Sequence, residues 1–501
     1  MQSVHAEGLA GIAPELCLVV TSLAILVVDL VLKGGERASR LMGYVTWAGL
    51  ALTGFLLLLA QGNPAKTVYG LVTVDRFGNF FKLFTVASVA VVAYFLHSDR
   101  TERRTGLGEY YFLLVGAAIG IFFMVGTNNL LLLMLGLELL SLASYSLAGY
   151  HKHEKRSAEA SMKYVVFGGL SAGIMLYGIS LLYGLTGTID ISVMAGAASE
   201  GIPRSLAGAI HNSPAAVAVA VVLVLAGFAY KVSIAPFHFW APDVYEGAPT
   251  PVTTFLAVAS KAAGFGALLR FLGVLFAAPG THEVVAGYGQ QVGHLIAILA
   301  AVTMTLGNLA ALRQESVKRM LAYSSIAHAG YVMVGVVTMN ATGFEAALYY
   351  LAAYYFMNLG AFGFLLYFHG ATGKETYDSL KGMGYKAPVI SIAMVVFLIS
   401  LTGIPPTIGF YGKYKLAIAC FEHYPWLVLC MLLNSVVSLF YYIKVARYLF
   451  LFDPAEETPA PQPVFVGVML AMALLTVALG IGVAPLVNWA ASSLDILAVA
   501  R

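Results

Sequence analysis

Lys231 stands inside an apolar run, AGFAYKVSIAP, and Pro236 follows five residues later. His238, Trp240, Pro242, Asp243 and Glu246 come next. A proline inside a helix removes one hydrogen bond and clashes with the preceding turn. At membrane depth such a break is tolerated only where the backbone is buried in protein or lines a water-filled cavity. An ionisable group beside the break is a functional-site candidate by default. The chemistry these residue types allow is proton handling. A lysine stripped of water disfavours its charged form, and a nearby carboxylate restores it. A lysine so placed can hold or release a proton as its neighbours shift.

Seven further cations share this setting. Lys82, Lys163, Lys261, Arg270, Lys413, Lys415 and Lys444 lie in or at the ends of apolar segments. Lys261 has small or apolar neighbours on both sides, AVASKAAGFG, and Lys413 follows a second break at Pro405 and Pro406, GIPPTIGFYGKYKLA. Glu138, in LLLLMLGLELLSLASY, has no cation near it in sequence, so its partner must come from another helix. Glu159 precedes Lys163 by four residues, the order that suits a helix-surface pair. His238 and His328 are candidate proton relays, since unperturbed histidine titrates near neutrality. Ser324, His328 and Tyr331 fall on one helix face and make a wettable stripe. The plainer alternatives stay open at this stage: static ion pairs for the lysines and Glu138, snorkelling for Lys163, and hydrogen-bonded structural roles for the histidines. His151 and His153 lie in a basic loop and read as solvated. Glu345, Asn358, Asp29 and Lys82 are polar residues in apolar segments that helix packing or a neighbouring subunit would explain.

These residues need a membrane scaffold to position them. Hydrophobic residues make up 60% of the 501-residue chain and charged residues 11%, and mean hydropathy is +0.84. A soluble protein carries about 25% charged residues. The pattern predicts an all-α polytopic membrane protein. Runs of the ~20 apolar residues that a span needs number fourteen: roughly 12–32, 41–61, 77–97, 110–126, 129–150, 161–184, 215–240, 250–276, 291–312, 319–339, 343–369, 388–422, 424–452 and 464–489. The seventh and twelfth contain prolines and read as discontinuous. The remaining cations are asymmetric: sixteen fall on the odd-numbered connections, and only Lys66, Arg76, Arg204 and Arg501 on the other side. The excess of lysine and arginine marks the cytoplasmic side, which puts both termini outside it. The buried charges recur in two five-helix sets, helices 4–8 and 9–13, which an odd helix number would invert. Inverted repeats with paired broken helices mark transporters whose sites lie near the midplane. The expected organisation is an N-terminal three-helix segment (1–108), a first repeat (109–276), a second (277–452), and a linker with a last helix (453–501).

Other classes find no support. The first apolar segment lacks a basic n-region and reads as a retained helix rather than a cleaved signal. The longest loop, about Leu185 to Pro214, is too short for a soluble domain. There is no Walker motif, and Gly287-Tyr-Gly-Gln-Gln-Val-Gly293 misses the dinucleotide spacing and reads as a loop. Cys17, Cys420 and Cys430 show no metal-ligand spacing. Nothing pairs the histidines for haem. A net charge of +3 does not suggest nucleic acid. No cofactor or metal is expected in this chain.

Several stretches together carry a resemblance. They include VDRFGNFFKLF (Val74–Phe84), LGLELLSLASY (Leu135–Tyr145), RSAEASMKYVVFGG (from Arg156), KVSIAPFHFWAPDVYEGAPTPVT (Lys231–Thr253), TLGNLAALRQESVKRMLAYSSIAHAGY (Thr305–Tyr331) and GIPPTIGFYGKY (Gly403–Tyr414). Over essentially its whole length the chain resembles the subunit N family of bacterial NADH–quinone oxidoreductase, respiratory complex I, the counterpart of mitochondrial subunit 2. The break motifs are shared with antiporter-like subunits M and L and with Mrp-type antiporters. A lysine at 413, where subunit M would carry glutamate, disfavours subunit M, and the absence of a long C-terminal extension disfavours subunit L.

The resemblance implies a proton-translocating unit of the bacterial inner membrane. Glu138, Lys231, Lys261 and Lys413 match the family's central charged residues, and Lys163 and His238 match positions counted on its proton path. It also implies that NADH, flavin, iron–sulfur and quinone chemistry sits in partner subunits, among them subunit M and small membrane subunits, within lipid. Two other functions compete: a stand-alone or Mrp-type monovalent cation/proton antiporter, and a structural membrane module with no proton path.

Overall fold

The computed structural model describes residues 9–33, 35–62, 65–99, 107–196, 205–277, 283–453 and 462–497. Arg100, Arg103, Arg104, Arg204 and Arg501, which enter the charge count, lie outside the described residues, as does most of the linker at 455–463. The principal helices are α1 (Ala13–Leu32), α2 (Glu36–Ala60), α3 (Arg76–Ser98), α4 (Leu107–Val125), α5 (Leu130–Ala148) and α6 (Lys155–Thr186). Next come α7 (Pro214–Val232), α8 (Trp240–Gly247), α9 (Thr250–Ala277), α10 (Glu283–Leu312) and α11 (Val317–Val336). The chain closes with α12 (Ala341–Thr372), α13 (Pro388–Thr402), α14 (Ile408–Phe421), α15 (Pro425–Phe450), α16 (Pro463–Ile481) and α17 (Ala484–Ser492).

Among the described residues, twelve helices are long and apolar enough to cross a membrane, or thirteen if Asp378–Lys386 and α13, bent by 118°, count as one span. This is fewer than the fourteen runs read from the sequence, for two physical reasons. Residues 319–339 fall in α11, whose Lys318, Arg319, Ser324, Ser325 and His328 dilute its apolar character. The run 388–422 is divided at Gly403–Thr407 into helices of 15 and 14 residues, each short for a span. Two smaller expectations also change. The chain is not purely helical, because Lys66–Val68 and Val72–Val74 pair as an antiparallel ribbon. Gly287–Gly293 is not a loop but part of α10.

Two helices stop in the same way. The α7 helix ends at Ser233, whose φ is +63°, and its backbone N–H returns to Ala229 and Tyr230, while Ile234 donates to Ala229. The α13 helix ends at Gly403, φ +89°, which donates to Ile399 and Ser400, and Ile404 donates to Ile399. A left-handed residue with these paired bonds is a Schellman-type stop. The peptide bonds at Ala235–Pro236 and Pro405–Pro406 are both cis.

The helices α9 and α12 run buried through the centre, whereas α1, α6 and α16 face outward along much of their length. Close packing comes from small residues where helices cross. At Gly136 a β-carbon would lie 2.6 Å from the Met124 nitrogen and 2.8 Å from the Gly120 carbonyl, so α4 and α5 touch backbone to backbone. This crossing sits two residues from Glu138.

A buried ionic knot fixes one end of the assembly. Arg270 on α9 is fully buried and donates to Asp75 through two nitrogens at 2.6 and 2.7 Å. It also reaches the Val125 carbonyl at 2.9 Å and Asn128 at 3.1 Å. Asp75 itself caps α3 by accepting from Gly78, and Asp495 accepts from the next two free amides, Arg76 and Phe77. Arg270→Met would strand the Asp75 carboxylate. The expected cost is roughly 3–5 kcal/mol, read as a lowered thermal midpoint of the purified protein or loss of the chain from membranes.

Candidate functional site

Most of the intramembrane cations divide into two groups by what holds them. One group is paired with carboxylate. Lys82 meets Glu15 at 2.6 Å, both side chains almost fully buried. Lys415 on α14 pairs with Glu345 on α12. Lys163 meets both Glu159 and Asp243 at 2.6 Å, and Arg319 on α11 meets Asp243 at 2.8 Å and Glu246 at 2.6 Å. These last five residues form a partly exposed network joining α6, α8 and α11. Lys163 is thus placed among carboxylates at the surface, away from the central lysines. Lys444 has no carboxylate partner among the described residues: it rests over the Tyr377 ring at 4.0 Å and donates to the Gln314 carbonyl at 3.4 Å.

The second group comprises Lys231, Lys261 and Lys413, which are 2%, 3% and 6% exposed. Among the described residues none has an ion-pair partner. Lys231, in the last turn of α7, donates to the Ser141 hydroxyl on α5 at 3.1 Å. Lys261 donates to Ser325 on α11, to its carbonyl at 2.8 Å and its hydroxyl at 2.5 Å. Lys413 donates to the carbonyls of Leu401 and Thr402 at 3.1 and 2.8 Å and to the Ser435 hydroxyl at 3.0 Å. It also sits 4.5 Å from the Tyr331 ring centre.

The local sequence explains these positions. The last carbonyls of a helix have no intrahelical partner. Breaking α13 at Gly403 leaves the Leu401 and Thr402 carbonyls for Lys413 from the next segment. In α9 a π-helical turn at Leu256–Ser260 immediately precedes Lys261, a distortion that often accompanies functional sites.

Glu138 occupies the edge of this arrangement. Its side chain is half-buried, Lys231 is within electrostatic reach, and Oε1 is buried without a hydrogen-bond partner among the described residues. On the same helix Leu135, Leu139 and Leu142 are exposed, so Glu138 stands between the buried row and an open apolar face.

A polar network lies between Lys261 and Lys413. The Tyr442 hydroxyl contacts Ser324 at 2.5 Å and His328 Nε2 at 3.2 Å, and the Tyr350 hydroxyl contacts His328 Nδ1 at 2.8 Å. Tyr331 instead accepts from Asn308 at 2.9 Å, which is also joined to Asn434 and Tyr441. Ser324 and His328 are thus brought together by Tyr442, while Tyr331 belongs to a neighbouring branch under Lys413. His238 is not joined to either: it is buried, and its Nδ1 lacks a partner among the described residues. Glu159 is bound to Lys163 at the surface.

Sequence reasoning missed Tyr350, Tyr442, Asn308 and Asn434. Buried tyrosines and asparagines at helical spacing look like ordinary packing residues, and nothing local marks their partners. It also gave no role to Asp243 and Arg319, whose contact crosses between distant helices. Among the described residues no cluster of histidine, cysteine and carboxylate groups is suited to hold a metal ion.

With this geometry in hand, comparison with known proteins is direct. The family described as NADH:quinone oxidoreductase/Mrp antiporter, TM, matches residues 127–439. NADH-quinone oxidoreductase subunit N of Chlorobium chlorochromatii is 42% identical over 99% of this chain and 97% of its own. Subunit N 2 of Sorangium cellulosum is 40% identical over 98% of each. Among solved structures, a chain of respiratory complex I from Thermus thermophilus is 33% identical, with TM-score 0.78, over 95% of this chain and 98% of that one. A chain of the Mrp complex from a Dietzia species shares the fold, with TM-score 0.82 at 22% identity, over 98% and 97% of the two chains. The chain belongs to the subunit N family of NADH-quinone oxidoreductase.

Proposed function

We propose that this chain, as an antiporter-like proton-translocating membrane subunit of NADH–quinone oxidoreductase, carries protons along Lys231, Lys261, His328 and Lys413. The observation that carries this reading is the contrast between the two groups of buried cations. Three central lysines are held by hydroxyls and carbonyls, while Lys82, Lys163, Arg270 and Lys415 are neutralised by carboxylates. Neutral acceptors bond to an ammonium or an amine alike, so each site tolerates both proton states.

Glu138 supplies the variable element. When it approaches Lys231 the ammonium is favoured, and when it withdraws the proton is free to move on. Moving one charge against about 100 mV takes ~2.3 kcal/mol. A change of about two pKa units is worth ~2.7 kcal/mol, so one carboxylate contact is of the right size. From Lys261 the Ser325–Ser324 pair, Tyr442 and His328 offer the way to Lys413. Redox chemistry, with its flavin, iron–sulfur and quinone groups, belongs to partner subunits.

Architecture supports the reading at several points. Counting α7 with α8, and α13 with α14, as broken spans, and α11 as a span, gives fourteen crossings. Residues 109–276 and 277–452 then make two inverted five-helix units. Their paired Schellman stops favour this. So do two isolated bridges, Asn129 to Asp190 and Ser316 to Thr376, each joining the start of a unit's second helix to the loop after its third. The α10–α11 crossing repeats that of α4–α5: a β-carbon on Gly307 would lie 2.6 Å from the Ala327 nitrogen. The lysine and arginine asymmetry favours both termini on the non-cytoplasmic side of the inner membrane.

Mild detergent purification of the tagged chain from native membranes tests membership of the redox complex. Co-elution of a large assembly that oxidises NADH with quinone is expected; elution alone, with sodium- or potassium-dependent proton flux, would favour the antiporter. Within the assembled complex, Lys231→Ala should abolish or strongly reduce coupled pumping, and Lys231→Arg should partly preserve it. Tyr442→Phe removes the hydroxyl shared by Ser324 and His328. It should slow pumping while costing only about 1 kcal/mol of stability, measured by vesicle acidification and thermal unfolding.

A further inference from the structure

We infer that the cavity between α1, α4 and the end of α5 binds the headgroup of an ethanolamine phospholipid. The inference is independent of the lysine pathway.

The cavity has a volume of about 480 Å³. One side is charged, with Asp29 from α1, Glu109 from α4 and Lys152 just past α5. The other is apolar, with Leu26, Phe112 and Leu113. Leu26 precedes Asp29 by nearly one turn, and Phe112 and Leu113 follow Glu109 by one. The apolar side is therefore the deeper one, and the charged side lies where α1 runs out into Lys33, Arg37 and Arg40. That is the order of a lipid, with its headgroup outward and its chains inward.

None of the three charged side chains has an ion-pair partner among the described residues. Asp29 is half-buried in the last turn of α1, where the carbonyl end of its own helix disfavours an anion. Its carboxyl lies against the start of α4. A β-carbon on Gly108 would stand 2.4 Å from the Asp29 carboxyl carbon and 2.6 Å from each oxygen, so a larger residue would push the carboxyl out. The start of a helix favours anions. The α4 helix thus keeps Asp29 and Glu109 charged without neutralising them, and a cation in the cavity completes the arrangement.

Charge complementarity selects the occupant. Two carboxylates receive a cation and Lys152 beside them receives an anion, which matches a headgroup carrying ammonium and phosphate together. Basic residues at the cytoplasmic ends of helices recruit acidic lipids, but here an acidic headgroup would meet two carboxylates and a single lysine. Choline has no N–H to give. A primary ammonium offers three donors to carboxylates that only accept. The acyl chains then lie over Leu26, Phe112 and Leu113.

The test reconstitutes the whole complex in phosphatidylcholine vesicles. The vesicles carry a small fraction of phospholipid with a photoactivatable acyl chain and either an ethanolamine or a choline headgroup. After illumination, peptides containing Leu26, Phe112 or Leu113 are quantified by mass spectrometry. The ethanolamine probe should label them several-fold more than the choline probe, and Asp29→Asn should remove the difference. Lys152→Glu, at an exposed position, should also reduce ethanolamine labelling, and it keeps the inference testable if Asp29→Asn fails to assemble. NADH oxidation by quinone verifies assembly. Equal labelling by the two probes would make the cavity an ordinary lipid contact, and no labelling would assign it to a neighbouring protein chain. Either result overturns the site, as does a headgroup preference unchanged in both variants.

Discussion

The structure turns on how a protein keeps an ammonium group out of water without neutralising it. A buried charge is expensive unless paired and hydrogen-bonded. Most intramembrane cations here follow that rule: Lys82 has Glu15, Arg270 has Asp75, and Lys415 has Glu345. Such pairs hold helices together but lock their protons in place, because deprotonating the cation strands the carboxylate. Lys231, Lys261 and Lys413 have serine hydroxyls and backbone carbonyls instead. The difference in partners separates cations fixed by a carboxylate from cations held by neutral groups.

Helix stops inside the buried interior make this second environment possible. A continuous helix consumes its own carbonyls. A stop at Gly403 exposes those of Leu401 and Thr402 within the buried interior, where Lys413 takes them. The same type of stop after α7 leaves Lys231 in the final turn, within reach of Ser141. Around that stop the Ser233 hydroxyl, His238 Nδ1 and Glu138 Oε1 are buried and unpaired among the described residues.

How much of this was legible in the sequence depends on range. Lysines and prolines inside apolar runs announce themselves, since each is costly in lipid and demands a reason. The buried lysines and Glu138 could therefore be named from spacing alone. Partners could not. Tyr442 joins Ser324 to His328 across more than a hundred residues, and tyrosines are common in any helical core. Lys163 looked like its neighbours in kind, yet its contact with Asp243 depends on how α6 meets α8, which no local pattern encodes. The runs at 319–339 and 388–422 do not stand as single apolar helices, because polar residues dilute the first and a stop at Gly403 divides the second.

The central claim is that the neutral-held lysines, rather than the carboxylate-paired cations, carry the protons. The most direct measurement is the number of protons moved per NADH oxidised in vesicles holding the assembled complex with Lys231, Lys261 and Lys413 all replaced by glutamine. The account predicts that coupled pumping by this complex is lost or strongly reduced. Near-wild-type pumping from a stably assembled triple variant would contradict it and leave the chain a structural membrane module.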